Sequence, residues 1–142
     1  MLRDEFETPG ERDPEELHAA YEQVLAETVE TQGIDAVAEA TAVDESTLDA
    51  LVDGESAELT LEEAAAILAT DPDRPDADFI VADARDVLLM GMSTAVLDVE
   101  AIQSGINGQL EAKEIQQKVE GRYPITLDEY AVLHQFIESK KR

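Results

Sequence analysis

The sequence predicts an all-α protein of two tandem four-helix units related by an internal duplication. Three observations lead there. Apolar residues recur at helical spacing along most of the 142 residues. Two capping boxes, Thr60 with Glu63 and Thr126 with Glu129, each open an apolar run. The alternation of β-branched residues that marks strands is almost absent, so no sheet is expected.

Residues 1–12 (MLRDEFETPGER) have no apolar core of a signal peptide and are expected to form a flexible N-terminal segment. The first unit spans 13–70. Asp13-Pro14 opens its first helix, with Glu15 and Glu16 near the positive end. Leu17, Ala20, Tyr21, Val24, Leu25 and Val29 then make one apolar stripe, which stops at Gly33. A short helix is expected over 34–41. Asp44 caps another over 45–53, closed by Gly54, and Thr60 starts a helix over 61–69.

The segment Asp71–Pro75 (DPDRP) is the expected linker, and the second unit spans 76–142. Its long helix is expected to turn Phe79, Ile80, Ala84, Val87, Leu88 and Met92 inward, with Met90 also filling the core. Gly91 and Ser93 weaken its middle and suggest a kink. Asp98 caps a short helix over 99–104. A helix over 111–120 ends at Gly121, and Thr126 starts the last, which runs to about Ser139.

Residues 43–68 and 110–136 align. Leu48 matches Ile115, Val52 matches Val119, Gly54 matches Gly121, and Thr60-Leu61 matches Thr126-Leu127. The offset is 67 residues and falls to 66 in the loop. That shared order of helix, Gly stop, loop and capping box suggests the duplication.

Charge bounds the environment. The chain carries 34 Asp+Glu against 10 Lys+Arg, a net of -24. Such a surface repels itself and destabilises the compact state. At molar salt the Debye length falls to roughly 3 Å and the repulsion fades. The composition therefore points to a halophile's salt-filled cytoplasm. The charge is uneven: residues 1–112 hold 4 Lys+Arg and 29 Asp+Glu, whereas 113–142 hold 6 and 5. A polyanionic partner could approach only the C-terminal end.

The stretch 34–55 (IDAVAEATAVDESTLDALVDGE) resembles a helix-turn-helix of the phage-repressor and Cro type. Ala38 stands at the small position of the first helix and Ala42 in the turn. Val43, Leu48 and Leu51 match the apolar positions that lock the second helix. The second copy departs from the pattern, with Gly105 at the small position, Gln109 in the turn and Lys118 at an inner position. The whole chain also resembles a haloarchaeal family of unknown function, a resemblance that carries no activity.

The resemblance implies double-stranded DNA as a partner. A reading helix must offer donors to base edges and phosphates. In the first copy the outward residues are Ser46, Asp49, Ala50 and Asp53, which suit phosphate poorly. In the second they are Lys113, Gln117 and Lys118, with Gln116 at the margin and Arg122 just beyond. Lys140, Lys141 and Arg142 extend the basic end. These eight residues are the candidate DNA-binding set, and a transcriptional regulator using its C-terminal unit is the leading expectation. The alternative is a non-enzymatic interaction module that keeps these helices for packing against a protein partner or a second copy.

No catalytic residues, metal ligands or cofactor are expected. There is no cysteine, and His18 and His134 fall in different helices, at the surface or the core margin. No apolar run is long enough to span a membrane.

Overall fold

The computed structural model describes residues 13–141; segment 1–12 and Arg142 lie outside the described residues. Eight helices follow one another: α1 (Pro14–Gln32), α2 (Ile34–Ala40), α3 (Glu45–Val52), α4 (Leu61–Leu68), α5 (Ala77–Ala95), α6 (Val99–Gly105), α7 (Ala112–Val119) and α8 (Leu127–Lys140). The protein is all-α.

Local chemistry sets the helix ends. Asp13 Oδ1 accepts from Glu16 N at 2.8 Å, Asp76 Oδ1 from Phe79 N at 2.9 Å, and Asp98 Oδ1 from Ala101 N at 2.8 Å. Both capping boxes form with the same geometry. Thr60 and Thr126 each accept from the amide of their glutamate at 3.1 Å, and each glutamate accepts from the threonine amide at 3.0 Å. These reciprocal bonds satisfy amides that a helix start otherwise leaves open.

α4 and α8 touch each other, and both are flanked by α1 on one side and α5 on the other. The α2–α3 hairpin packs on α1, while α6 and α7 pack on each other and against α8 and α5. One continuous core runs through both halves, from Leu17, Tyr21 and Leu25 to Tyr130, Leu133 and Ile137.

The two halves also meet through the backbone. Leu61 N donates to Ile125 O and Leu127 N donates to Leu59 O, both at 2.8 Å. They form a lone antiparallel bridge between Thr60 and Thr126, the two positions that match in the sequence alignment. No strand occurs among the described residues.

Three side chains differ from expectation. Phe79 is 57% exposed and Met90 52%. The inward stripe of α5 is Ile80, Ala84, Val87, Leu88 and Gly91. Phe79 and Met90 each precede a stripe residue by one position, which swings them about 100° around the axis. His134, expected at the surface or core margin, is buried. α5 also continues as one helix through Gly91 and Ser93. Gly91 is needed for close approach, since a Cβ there would lie 2.6 Å from Ile137 Cγ2 on α8.

Candidate functional site

α7 turns Ile115 and Val119 into the core and leaves Lys113, Glu114 and Gln116 exposed. Gln117 and Lys118 are half-buried. Gln103 on α6 anchors the start of the helix by accepting from Ala112 N at 2.7 Å.

Most of the candidate cations have partners within the protein. Lys118 Nζ lies 2.5 Å from Glu129 Oε2. Glu129 is the capping-box residue of α8, so Lys118 ties α7 to the start of α8. Arg122 is exposed and pairs with Glu120. Gln116 Nε2 also reaches Glu120, at 3.4 Å. Lys141 Nζ lies 2.9 Å from Glu138 Oε1, and Lys140 Nζ stands 5.5 Å from the Phe136 ring centre. Lys113 is the exception: it is exposed and makes no ion pair with a described residue.

Lys113, Gln116, Gln117 and Lys118 share α7, and Arg122 joins them through its amide, which donates to Gln117 O at 2.8 Å. Lys140 and Lys141 stand at the end of α8, engaged with residues of that helix. Arg142 is outside the described residues.

In the N-terminal half, Ser46 and Asp49 are exposed on α3, Asp53 is exposed at its C-cap, and Ala50 is half-buried. Asp35, on α2, stands beside Glu45. A hydrogen bond shared with Asp35, and then repulsion from Asp35 and Asp49, holds the Glu45 carboxyl above its ordinary range. This surface concentrates negative charge. Val43, Leu48 and Leu51 are buried, and Gly105 abuts the Phe136 ring so closely that a Cβ would collide with it.

A polar cluster that the sequence did not single out joins α1, α5 and α8. Tyr21 OH lies 2.5 Å from His134 Nδ1, and Tyr130 OH donates to Ala84 O at 2.9 Å. The Tyr130 ring centre is 6.0 Å from that of Tyr21 and 5.4 Å from that of His134. Burial holds the His134 imidazole down at about 4, against the pull of Glu138, so the ring is neutral near pH 7. Its Nε2 faces the Glu138 carboxylate at 3.6 Å. A carboxylate only accepts, which favours the proton on Nε2 and leaves Nδ1 to accept from Tyr21 OH. Burial also raises the Tyr21 phenol well above its ordinary value. The only sequence signal was helical spacing, which placed Tyr21 in the α1 stripe.

A surface hollow of about 460 Å³ lies beside His18, Ser56, Thr126 and Asp128. His18 Nδ1 is 3.8 Å from Glu22 Oε1 and 4.0 Å from Asp128 Oδ1. Glu22 holds the α3–α4 loop, accepting from Ala57 N at 2.9 Å and from Ser56 Oγ at 3.3 Å. These residues hold the α3–α4 loop against α1. Among the described residues no group of three or more His, Asp or Glu could hold a metal ion. No helix among them is long and apolar enough to cross a membrane.

Fold and surface together define an acidic all-α protein whose two halves share one core. The chain belongs to a family of unknown function, DUF5791, which it matches over residues 17–140. No curated protein and no solved structure matches it.

Proposed function

We propose that the chain is a non-enzymatic protein-interaction module of a high-salt cytoplasm, built by duplication of a helix-turn-helix-like unit. One observation carries this over the DNA-binding alternative. Of the candidate DNA-binding cations, Lys118, Arg122 and Lys141 are paired with carboxylates and Lys140 lies against an aromatic ring. A phosphate backbone would have to displace those partners. It would do so from a protein of net charge -24, in salt that already suppresses counterion release.

The duplication is supported by the bonds between 59–61 and 125–127. Two copies of one unit meeting about a local two-fold axis would exchange the same bond in both directions, as these segments do.

The regulator remains the second reading because Lys113 is exposed and makes no ion pair with a described residue. Two measurements decide. Far-UV circular dichroism between 0.1 and 3 M KCl should show helix lost at the low-salt end; unchanged helicity and melting temperature there would remove the high-salt assignment. Binding to duplex fragments of the source genome, assayed at molar KCl, should show no sequence selectivity. Selective binding that disappears in Lys113→Glu would replace the interaction module with the regulator.

A further inference from the structure

Two non-glycine residues among the described residues adopt a positive φ: Val96, at 56 and 88% exposed, and Asn107, at 58. Val96 carries no reactive group. Asn107 does, and it is the only asparagine of the chain.

Asn107 closes α6. Its amide donates to Ser104 O at 3.2 Å, and the next amide, Gly108 N, donates to Gln103 O at 2.9 Å. This paired closure puts the residue just past the helix in the left-handed region. α3 and α7 end with the same pair of bonds, on Gly54 at φ 80 and Gly121 at φ 81. Glycine meets that geometry at least steric cost. The turn itself therefore does not call for an asparagine at 107.

The following residue leaves the side chain open to reaction. Asn107 and Gly108 are both exposed, and nothing lies within 4 Å of where a Cβ on Gly108 would stand. No side chain shields the Gly108 nitrogen from the Asn107 side-chain carbonyl. The restraint is the hydrogen bond from that nitrogen to Gln103 O. Gln103 also ties the far end of the turn, where its side chain accepts from Ala112 N at 2.7 Å.

We propose that Asn107 is a self-modification site, converted to aspartate and isoaspartate with water as co-reactant, and that opening of the α6–α7 turn controls the conversion. The Gly108 nitrogen attacks Asn107 Cγ. The N–Cγ bond forms as the Cγ–Nδ2 bond breaks, and the amide proton leaves with Nδ2 as ammonia. Water then opens the five-membered imide at either carbonyl. One opening yields aspartate and the other isoaspartate, whose backbone is one carbon longer. In the closed turn the attacking N–H is committed to Gln103 O, so ring closure waits on local opening. Either product sets a new carboxylate at the negative end of α6. Isoaspartate also shifts the Gly108 amide away from Gln103 O. Both loosen the seat of α7, the helix that carries the exposed Lys113. Neither step depends on whether the chain's partner is a protein or DNA.

The test is peptide mapping by mass spectrometry of the full chain, incubated in mildly alkaline KCl at a concentration where circular dichroism shows full helix. A synthetic peptide of residues 103–111 in the same buffer is the unrestrained reference. The folded chain should convert at Asn107 at least tenfold more slowly than the peptide. Gln103→Ala should speed conversion at least threefold with helicity retained, whereas Gln103→Glu, which keeps an acceptor, should match wild type. Once converted and purified, the protein should exchange the amides of α7 at least tenfold faster than before, with α1 unchanged. Asn107→Gly should keep α7 protected. The assignment is overturned if the folded chain converts as fast as the peptide, or stays unconverted over many peptide half-lives. It is equally overturned if a folded Gln103→Ala matches wild type, if conversion leaves α7 exchange unchanged, or if Asn107→Gly loosens α7. If Gln103→Ala loses helix, the peptide comparison and the α7 exchange of converted wild type still decide.

Discussion

α1 and α5 are both 19-residue helices, and both lean on α4 and α8, yet they are fastened differently. α1 contributes a phenol to a buried hydrogen bond with His134 and shows solvent a charged face. α5 contributes a backbone carbonyl to Tyr130 and a glycine that lets Ile137 approach, and it shows solvent an apolar face. Their ends contrast as well: α1 stops at Gly33 with φ 93, α5 at Val96 with φ 56. Two helices that flank the same pair are thus fastened in two ways. On the outside, α1 exposes Glu15, Glu16, Glu27 and Glu30, whereas α5 exposes Phe79, Leu89 and Met90.

The largest expected effect breaks the α1 attachment with acid. His134 has a folded value of about 4 against an ordinary 6.5, so the unfolded chain takes up the proton first. This contribution is fully present above pH 6.5 and is lost as pH falls towards 4. The swing is on the order of 3 kcal/mol. Chemical denaturation of wild type and His134→Gln should differ in slope across that window and run parallel above it. Parallel curves throughout would show that the ring is not held neutral by burial.

Exchanging the helix ends gives the next effect. Gly33→Val forces a β-branched residue to a strongly positive φ and should cost about 1–3 kcal/mol. Val96→Gly removes that strain and should stabilise by about 1 kcal/mol. Thermal melts at fixed high salt measure both. A Val96→Gly variant less stable than wild type would mean that the Val96 side chain makes a contact its exposure does not suggest.

The smallest effect sharpens the contrast between outer faces. Leu89→Gln on α5 and Glu27→Gln on α1 should each change stability by less than about 0.5 kcal/mol, because neither side chain is in the core. A loss of several times that for Leu89→Gln would make the α5 face part of the fold.

The local rules could be read from the chain before any packing was known. Asp13, Asp76 and Asp98 cap helices because a short carboxylate reaches an amide three residues on. Thr60/Glu63 and Thr126/Glu129 close on themselves for the same reason. The stripe of α1 is clear because one face is apolar and the other charged. The candidate site was less legible. The sequence placed Lys113, Gln116, Gln117 and Lys118 on one helix. It could not say that Lys118 would reach back to Glu129, 11 residues later in the chain.

By itself, then, the sequence determined the helices, their ends and the acidic character of the surface, all of which depend on residues a few positions apart. Tertiary structure decided the rest. α5 carries apolar residues on more than one side, so only contact with α4 and α8 could choose Ile80, Ala84 and Leu88 over Phe79 and Met90. His134 is neutral because the packed helices bury it, beside a Tyr21 hydroxyl that comes from 113 residues away in the chain. Thr60 faces Thr126 because two loops meet across the core. Each of these joins residues far apart in the chain, whose approach depends on how whole helices pack.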